Sequence, residues 1–267
     1  MGNTQSDRGR TVGRNNKIKM KLAKHLLVFL IVWETVSLAI GNADILPNTR
    51  LILGTFPTLL ADKLFIDAVF DSVSFMFKSW FVILIVLAFI TLFSILNKGF
   101  RYVFKSICVC FQPSPTFTWL PIFILIFGIN ETTMLITMVF GTIWLTGLNL
   151  VNAIEIAYDK WHKHCNNLNL NVFRSMYIVY FPSMKKMMLS MFKTSFNLSW
   201  RIMIAMEVIF GTIGKHFGVG TFMSDAKDLL DVNKMYAVFF TIIILGVIIN
   251  WLIDIVAKEK ARESITV

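Results

Sequence analysis

Runs of about twenty apolar residues constrain this chain more than any other feature of its sequence. A segment of that length spans the hydrocarbon core of a bilayer, and inside lipid the backbone satisfies its own hydrogen bonds as a helix. We therefore predict an all-α, polytopic membrane protein with about six transmembrane helices. The predicted spans are residues 22–40, 77–96, 107–128, 132–151, 188–210 and 236–257.

The composition agrees with a membrane protein and argues against a soluble nucleic-acid-binding protein. Apolar residues make up 56% of the 267 residues and charged residues 16%, whereas soluble domains carry about 25% charged residues. The formal net charge is +10. In a membrane protein such a surplus comes from Lys and Arg retained on the cytoplasmic side, so we expect no nucleic-acid partner.

The positions of the basic residues orient the predicted spans. With the N-terminus inside, eighteen of the 26 Lys and Arg residues fall in cytoplasmic segments and five in outer ones. This asymmetry predicts a multi-pass protein of the cell membrane with both termini cytoplasmic. The predicted domains are a disordered basic tail at 1–21, a transmembrane domain at 22–257 and a second cytoplasmic tail at 258–267.

The connection at 152–186 is polar, basic and about 35 residues long, whereas connections in helix bundles usually take 2–8 residues. Within it Leu168, Val172, Met176 and Val179 recur at three- and four-residue spacing, which predicts a short amphipathic helix before Pro182. Two interpretations remain open. The helix covers the cytoplasmic face of the bundle, or it docks on a cytoplasmic partner and carries motion into the membrane.

The fifth predicted span carries polar residues that share an arc of about 120° on a helical wheel. They are Lys193, Asn197, Trp200, Arg201 and Glu207. Ionisable groups at membrane depth usually face a cavity or a partner, so this stripe lines a solute path, or Arg201 pairs with Glu34 or Glu207. Lys193 is expected to extend to the cytoplasmic surface. A guanidinium favours an anionic or polar solute, and Glu207 allows a zwitterion.

No catalytic constellation is evident in the sequence. It contains no phosphate-binding loop of the G-x4-G-K-[ST] type, so ATP hydrolysis has to reside in another chain. His162, His164 and Cys165 are close in sequence, as are Cys108 and Cys110, but neither spacing matches an established metal site. We expect no catalytic residue, no metal and no cofactor in this chain.

Three stretches, ILPNTRLILGTFPTLLADKLF, PSPTFTWLPIFILIFGINE and SMYIVYFPSMKKMMLSMFK, occur in an order and at spacings that resemble a known family. The resemblance covers residues 44–267. It is to the permease subunit of ATP-binding-cassette importers, in the branch that handles nitrate, sulfonates and taurine. In that family the loop between the fourth and fifth spans carries a coupling helix that docks on the ATPase.

The family's coupling motif, E-A-A-x3-G-x9-I-x-L-P, maps onto this sequence when counted back from its proline. The resemblance assigns ATPase coupling to Lys163, His164, Cys165, Asn169, Val179, Phe181 and Pro182. At the apolar end of the motif this sequence has residues of the same type as the family, but the acidic residue at the start and the glycine are absent. The resemblance also places Trp200 and Glu207 beside a central cavity, which favours a substrate pathway formed by Asn197, Trp200, Arg201 and Glu207.

The resemblance implies several partners besides the lipid bilayer. They are cytoplasmic ATPase subunits that bind ATP and Mg²⁺, a second permease copy, and an extracytoplasmic solute-binding protein that docks on loops 41–70 and 211–235. A self-contained secondary carrier or channel is the main alternative, but it predicts inverted repeats, and the two halves show no internal similarity. A membrane-embedded enzyme or scaffold is a third possibility.

Overall fold

The computed structural model describes residue 24 and residues 27–168, 170–212 and 215–263. Its elements are α1 (Leu27–Ile40), α2 (Thr49–Ala61), α3 (Lys63–Leu96), α4 (Lys98–Phe111), a 3₁₀ turn (Thr116–Trp119), α5 (Leu120–Phe127), α6 (Glu131–Asn167), α7 (Val172–Ser175), a π turn (Met176–Tyr180), α8 (Phe181–Phe210), α9 (Val219–Asp228) and α10 (Val232–Glu263). The prediction of an all-α, polytopic membrane protein is confirmed.

The chain divides into two compact units, of which the smaller comprises residues 1–62 and 226–237. The turn between α1 and α2 is closed by hydrogen bonds, because Trp33 Nε1 donates to the Pro47 carbonyl at 3.1 Å and the Glu34 carboxylate accepts from Thr49 N at 3.0 Å. Asn48 caps the N-terminus of α2 through its side chain, which accepts from Leu51 N.

The larger unit comprises residues 63–225 and 238–267, and its core is built from α3, α6 and α8. The contact between α6 and α8 is the most extensive in the chain. Small hydroxyl residues join these helices: Thr142 and Ser199 hydrogen-bond through their Oγ atoms at 3.1 Å. Trp80 Nε1 of α3 donates to Ser195 Oγ of α8 at 3.1 Å. Short polar side chains of this kind allow close helix packing in membranes.

Three helical segments are long and apolar enough to cross a membrane, namely Lys63–Leu96, Glu131–Cys165 and Val232–Ile255. A fourth crossing exists if the bent pair α4 and α5 forms one span. The six predicted spans are therefore not matched one for one in the part of the chain that the structure describes. The predicted fifth span lies within α8, which is long enough, but its Lys193, Arg201 and Glu207 lower its apolar character.

The predicted span at 107–128 is not a single helix. Helix α4 ends at Phe111, and the following helical pair is bent by 93° relative to it. Pro113 and Pro115 explain the break, because proline lacks a backbone N–H and disfavours the α conformation of the residue before it. The break leaves an irregular segment at 112–115 between two apolar helices.

The prediction of a long connection with a separate amphipathic helix is wrong. Helix α6 continues to Asn167, and only 168–171 separate it from the next helical turn. That turn, α7, leads through the π turn directly into α8, so Pro182 lies in the first turn of a continuing helix instead of ending one. Proline is tolerated in a first turn because the N–H groups there have no acceptor within their own helix, so the missing N–H costs no helical hydrogen bond.

The predicted tail at 1–21 and the coupling position Asn169 lie outside the described residues. Helix α10 continues past the predicted span to Glu263, so the first part of the predicted C-terminal tail is helical. The division into tails and a central domain stays a prediction.

Candidate functional site

The polar stripe on α8 is divided between two faces of the helix. Asn197 is half-buried and Arg201 is exposed, whereas Trp200 is 7% exposed and Glu207 is fully buried. At 100° per residue the arc of about 120° is wide enough to reach different neighbours at its two edges. The four predicted pathway residues therefore do not form one surface.

Glu207 is the centre of a buried polar cluster that joins α8 to α3 and α9. Its Oε1 accepts a hydrogen bond from Ser72 Oγ at 2.7 Å and lies 3.0 Å from His216 Nε2. Its Oε2 accepts from Gly220 N at 2.8 Å, and Ser72 Oγ in turn accepts from Val219 N at 2.8 Å. At the first turn of α9, where negative charge is favoured, the carboxylate thus accepts from the Gly220 N–H and Ser72 accepts from the Val219 N–H.

The close approach of α9 to this carboxylate requires glycine. A Cβ atom on Gly220 would lie 2.7 Å from Glu207 Cβ and 2.8 Å from the Ile204 carbonyl oxygen, and one on Gly218 would collide with the carboxylate. Sequence reasoning missed Ser72 and His216 as partners of Glu207. The available signals were a histidine and a G-x-G element shortly after α8, but nothing nearby in the sequence pointed to Ser72 of α3.

The predicted pairing of Arg201 with Glu207 is not observed. The Glu207 carboxylate contacts His216 instead, and the Arg201 side chain donates from Nε to the Asn197 carbonyl oxygen at 3.3 Å. Among the described residues Arg201 forms no ion pair. Its charge is therefore free to act on the exposed face of α8.

Lys193 forms an ion pair with Asp254 of α10, and its expected extension to the cytoplasmic surface stays a prediction. One turn further along α8, Asn197 Oδ1 accepts a hydrogen bond from Asn250 Nδ2. These two contacts hold α8 against α10 through polar groups. They also neutralise one of the charges in the predicted stripe.

We expect the Lys193–Asp254 pair to contribute a small stabilisation. Both side chains are about one-third exposed, so Lys193→Met and Asp254→Asn should each lower the melting temperature by up to about 4 °C in detergent. The melting temperature of the double variant should fall by less than the sum of the two single decreases, because the second substitution removes a charge that the first has already left without its partner. Additive losses would show that the two charges are not coupled. Lys227→Met, at the exposed C-terminal end of α9, is the control.

Two open cavities lie along the contact between α6 and α8, and together they are called the α6–α8 crevice here. One cavity of about 290 Å³ is lined by the break after α4 and by Gly141, Trp144 and Leu198. A second, of about 400 Å³, is lined by Asn149, Asn152, Met187, Ser190, Met191 and Thr194. The α8 residues of both cavities share one face, which at 100° per residue also contains Asn197 and Arg201.

The predicted coupling residues lie at the end of α6 and the start of α8. Lys163 and His164 are exposed, Cys165 is buried, Val179 is half-buried, and Phe181 and Pro182 are exposed. The structure therefore brings both ends of the predicted motif to the same helix–helix junction. Within this junction Leu168, Tyr177 and Ile178 are 70%, 80% and 55% exposed.

Residues 172–182, which comprise α7, the π turn and the start of α8, are called the predicted coupling segment here. An aromatic cluster holds this segment against α6 and α4. The ring of Tyr158 stacks on that of Tyr180 at 6.2 Å, and the Arg101 guanidinium lies 4.7 Å from the centre of the Tyr158 ring. Tyr180 also hydrogen-bonds with Cys165, and burial raises the pKa of its phenol to about 12. Tyr180 is therefore neutral at physiological pH and packs as an uncharged group.

The histidines and cysteines near this junction do not form a metal site in the described part of the chain. His162 Nε2 lies 3.0 Å from Tyr158 Oη. No three His, Cys, Asp or Glu side chains within the described ranges come together as ligands.

The comparison with protein families identifies one match. The sequence model of the family described as "binding-protein-dependent transport system inner membrane component" matches residues 85–262, which is 178 of the 267 residues. No curated protein matches the chain significantly.

Proposed function

The chain belongs to the family of binding-protein-dependent transport system inner membrane components, and from this premise we propose that it is the permease of an importer driven by ATP. The family makes it the membrane component of an ATP-binding-cassette transporter. The family match carries this proposal. The proposal also includes inward transport and membership of the branch that handles nitrate, sulfonates and taurine. It further includes a pathway formed with a second copy of the same chain.

The coupling segment is the proposed site of ATPase docking. Leu168, Tyr177 and Ile178 expose apolar surface at the junction of α6 and α8, and apolar surface of this kind is typical of interaction sites. The segment is continuous with α8, so a force applied at Tyr177 acts directly on the helix that lines the crevice. ATP and Mg²⁺ bind in the partner subunit, and this chain contributes no cofactor site.

The α6–α8 crevice is the proposed solute path. Its second cavity carries amide and hydroxyl groups from Asn149, Asn152, Ser190 and Thr194, and Arg201 adds a positive charge on the same face of α8. Glu207 is buried against His216, so it offers no carboxylate to the cationic end of a zwitterion. The arrangement favours a small anionic solute. Trp200 and Glu207 are assigned to packing instead of solute contact.

The proposed direction and partners are tested by reconstituting the chain in vesicles. The purified permease, an ATPase subunit and a solute-binding protein from the same genome are combined, with ATP on the ATPase side only. We expect solute to move away from the side that carries the binding protein, and only with hydrolysable ATP. Movement by the permease alone down an ion gradient would instead establish a secondary carrier.

Two matched double variants test the proposed docking sides. Tyr177→Ala with Ile178→Ala should weaken co-purification of the ATPase about tenfold or more and leave binding of the solute-binding protein unchanged. Leu229→Ala with Leu230→Ala removes comparably exposed side chains, at 80% and 84%, from the predicted outer loop. This pair should leave ATPase binding unchanged, and the opposite result would reverse the proposed orientation.

A further inference from the structure

The break between α4 and α5 borders an open cavity that has no assigned role. It has a volume of about 290 Å³ and is bounded on one side by the irregular segment 112–116. Phe140, Gly141 and Trp144 of α6 form the opposite side. Irregular backbone at membrane depth is tolerated where it is buried in protein or lines a cavity. Broken helices of this kind often form solute sites in transporters.

Aromatic rings form one side of this cavity, and Gln112, Ser114 and Thr116 contribute polar groups to the other. Phe111 and Trp144 stack with ring centroids 4.9 Å apart and planes inclined by 21°. Phe140 meets Trp144 edge-on at 5.1 Å. A cavity of about 150 Å³ lined by apolar side chains holds one benzene, so this space accommodates a single substituted ring. Flat apolar walls favour a planar ring over a puckered one of the same size.

The indole of Trp144 supplies an unused hydrogen-bond donor. Its Nε1 is buried and has no hydrogen-bond partner among the described residues. The indole N–H groups of Trp33, Trp80 and Trp119 all have acceptors: the Pro47 carbonyl, Ser195 Oγ and Ser114 Oγ. Buried indole N–H groups usually find a partner. The Trp144 N–H has no exposed surface in this structure, so an acceptor atom on a bound solute reaches it only once the indole turns toward the cavity.

Charge is absent from the cavity wall but present beside it. The lining residues are apolar or neutral, so an ionised group would be poorly solvated inside. Arg201 is exposed one turn beyond Leu198 of the wall, on the same face of α8. A ring can therefore occupy the cavity while an anionic substituent stays outside it, near the guanidinium.

We propose that this cavity binds the ring of a small aromatic anion, with an acceptor atom on the ring facing the Trp144 N–H and the anionic group facing Arg201. This inference rests on the proposed function, because it names the solute class of the same path. It assigns Trp144 as a specificity-determining residue. The shape of the cavity selects the ring, and Arg201 selects its charge.

The test is equilibrium binding of 4-hydroxybenzoate to the purified full-length chain in lipid nanodiscs, without ATPase or ATP. We expect saturable binding that is at least about tenfold tighter than that of 4-hydroxycyclohexanecarboxylate, which keeps both polar groups but lacks the flat ring. 4-Hydroxybenzyl alcohol, which keeps the ring but lacks the charge, should also bind at least about tenfold more weakly.

Trp144→Phe keeps an aromatic wall and removes the donor. It should weaken binding of 4-hydroxybenzoate about fivefold to tenfold and leave that of benzoate, which has no ring oxygen, within about twofold. Trp251→Phe, on an exposed part of α10, is the matched control and should change neither. Equal effects of the two tryptophan variants would overturn the role of Trp144.

The proposal would be overturned if the cyclohexane analogue bound equally well or if no probe bound. It would also be overturned if an acyl chain or a second copy of this chain were found in the cavity. Its failure is distinguishable from failure of the proposed function. Binding without ATP-driven uptake would leave the aromatic site standing and refute the importer. ATP-driven uptake of another solute without aromatic binding would refute the site alone.

Discussion

Replacing Glu207 with alanine will destabilise the protein by about 3–5 kcal/mol. The carboxylate is fully buried and is bonded to Ser72, His216 and Gly220 N–H. Removing it leaves three buried polar partners unsatisfied at the point where α3, α8 and α9 meet. A loss of this size should lower the melting temperature by at least about 6 °C and reduce the yield of monodisperse protein in detergent.

Two variants test whether this loss of stability is specific to the buried cluster or follows from the removal of any carboxylate. Glu207→Gln keeps the shape and one acceptor oxygen, so it should retain more stability than the alanine variant. Glu155→Ala removes a half-exposed carboxylate of α6 that pairs with Lys105, and it should cost less than about 1 kcal/mol. If Glu207→Ala is as stable as Glu155→Ala and loses only transport, the residue acts in the solute path.

The division of the α8 stripe shows where helical periodicity stops being informative. Spacing correctly placed the polar residues on one side of a helix, but a wheel cannot say which element faces each part of the arc. Glu207 is fixed by Ser72, which lies 135 residues earlier in the chain. Such a contact depends on how α3 packs on α8. Nothing local to either helix encodes that packing.

The coupling segment shows a different limit. The polar composition of 152–167 indicated a loop, yet these residues continue α6 because Ile154, Tyr158 and Cys165 lie on a helix side that meets α4 and the coupling segment. Proline at 182 indicated a helix end, although it is equally compatible with a first turn. Local patterns thus identified helix-forming residues but not where one helix passes into the next.

The broken span after α4 could have been anticipated in part. Pro113, Pro115 and Pro121 were visible within the predicted third span, and prolines are expected to interrupt a helix. The 93° bend and the cavity beside it depend on the packing of Thr116 and Phe111 against α6. The sequence therefore contained the cause of the break but not its geometry.

Arg201→Ala will abolish ATP-driven uptake while the transporter still assembles. The side chain is exposed and donates one hydrogen bond, to a carbonyl of its own helix, so its removal should change the melting temperature by no more than about 2 °C. Uptake should fall about 30-fold or more, since losing a charge partner of a desolvated anion costs at least about 2 kcal/mol.

Two control variants distinguish the effect of the positive charge of Arg201 from that of its planar guanidinium. Arg201→Lys keeps the positive charge but loses the planar fork, and it should recover part of the uptake, with weaker apparent affinity for the solute. Lys98→Ala removes an exposed basic residue at the start of α4 and should leave uptake unchanged. If Arg201→Ala prevents assembly with the ATPase, the residue is structural. If it transports normally, the crevice face of α8 is not the solute path.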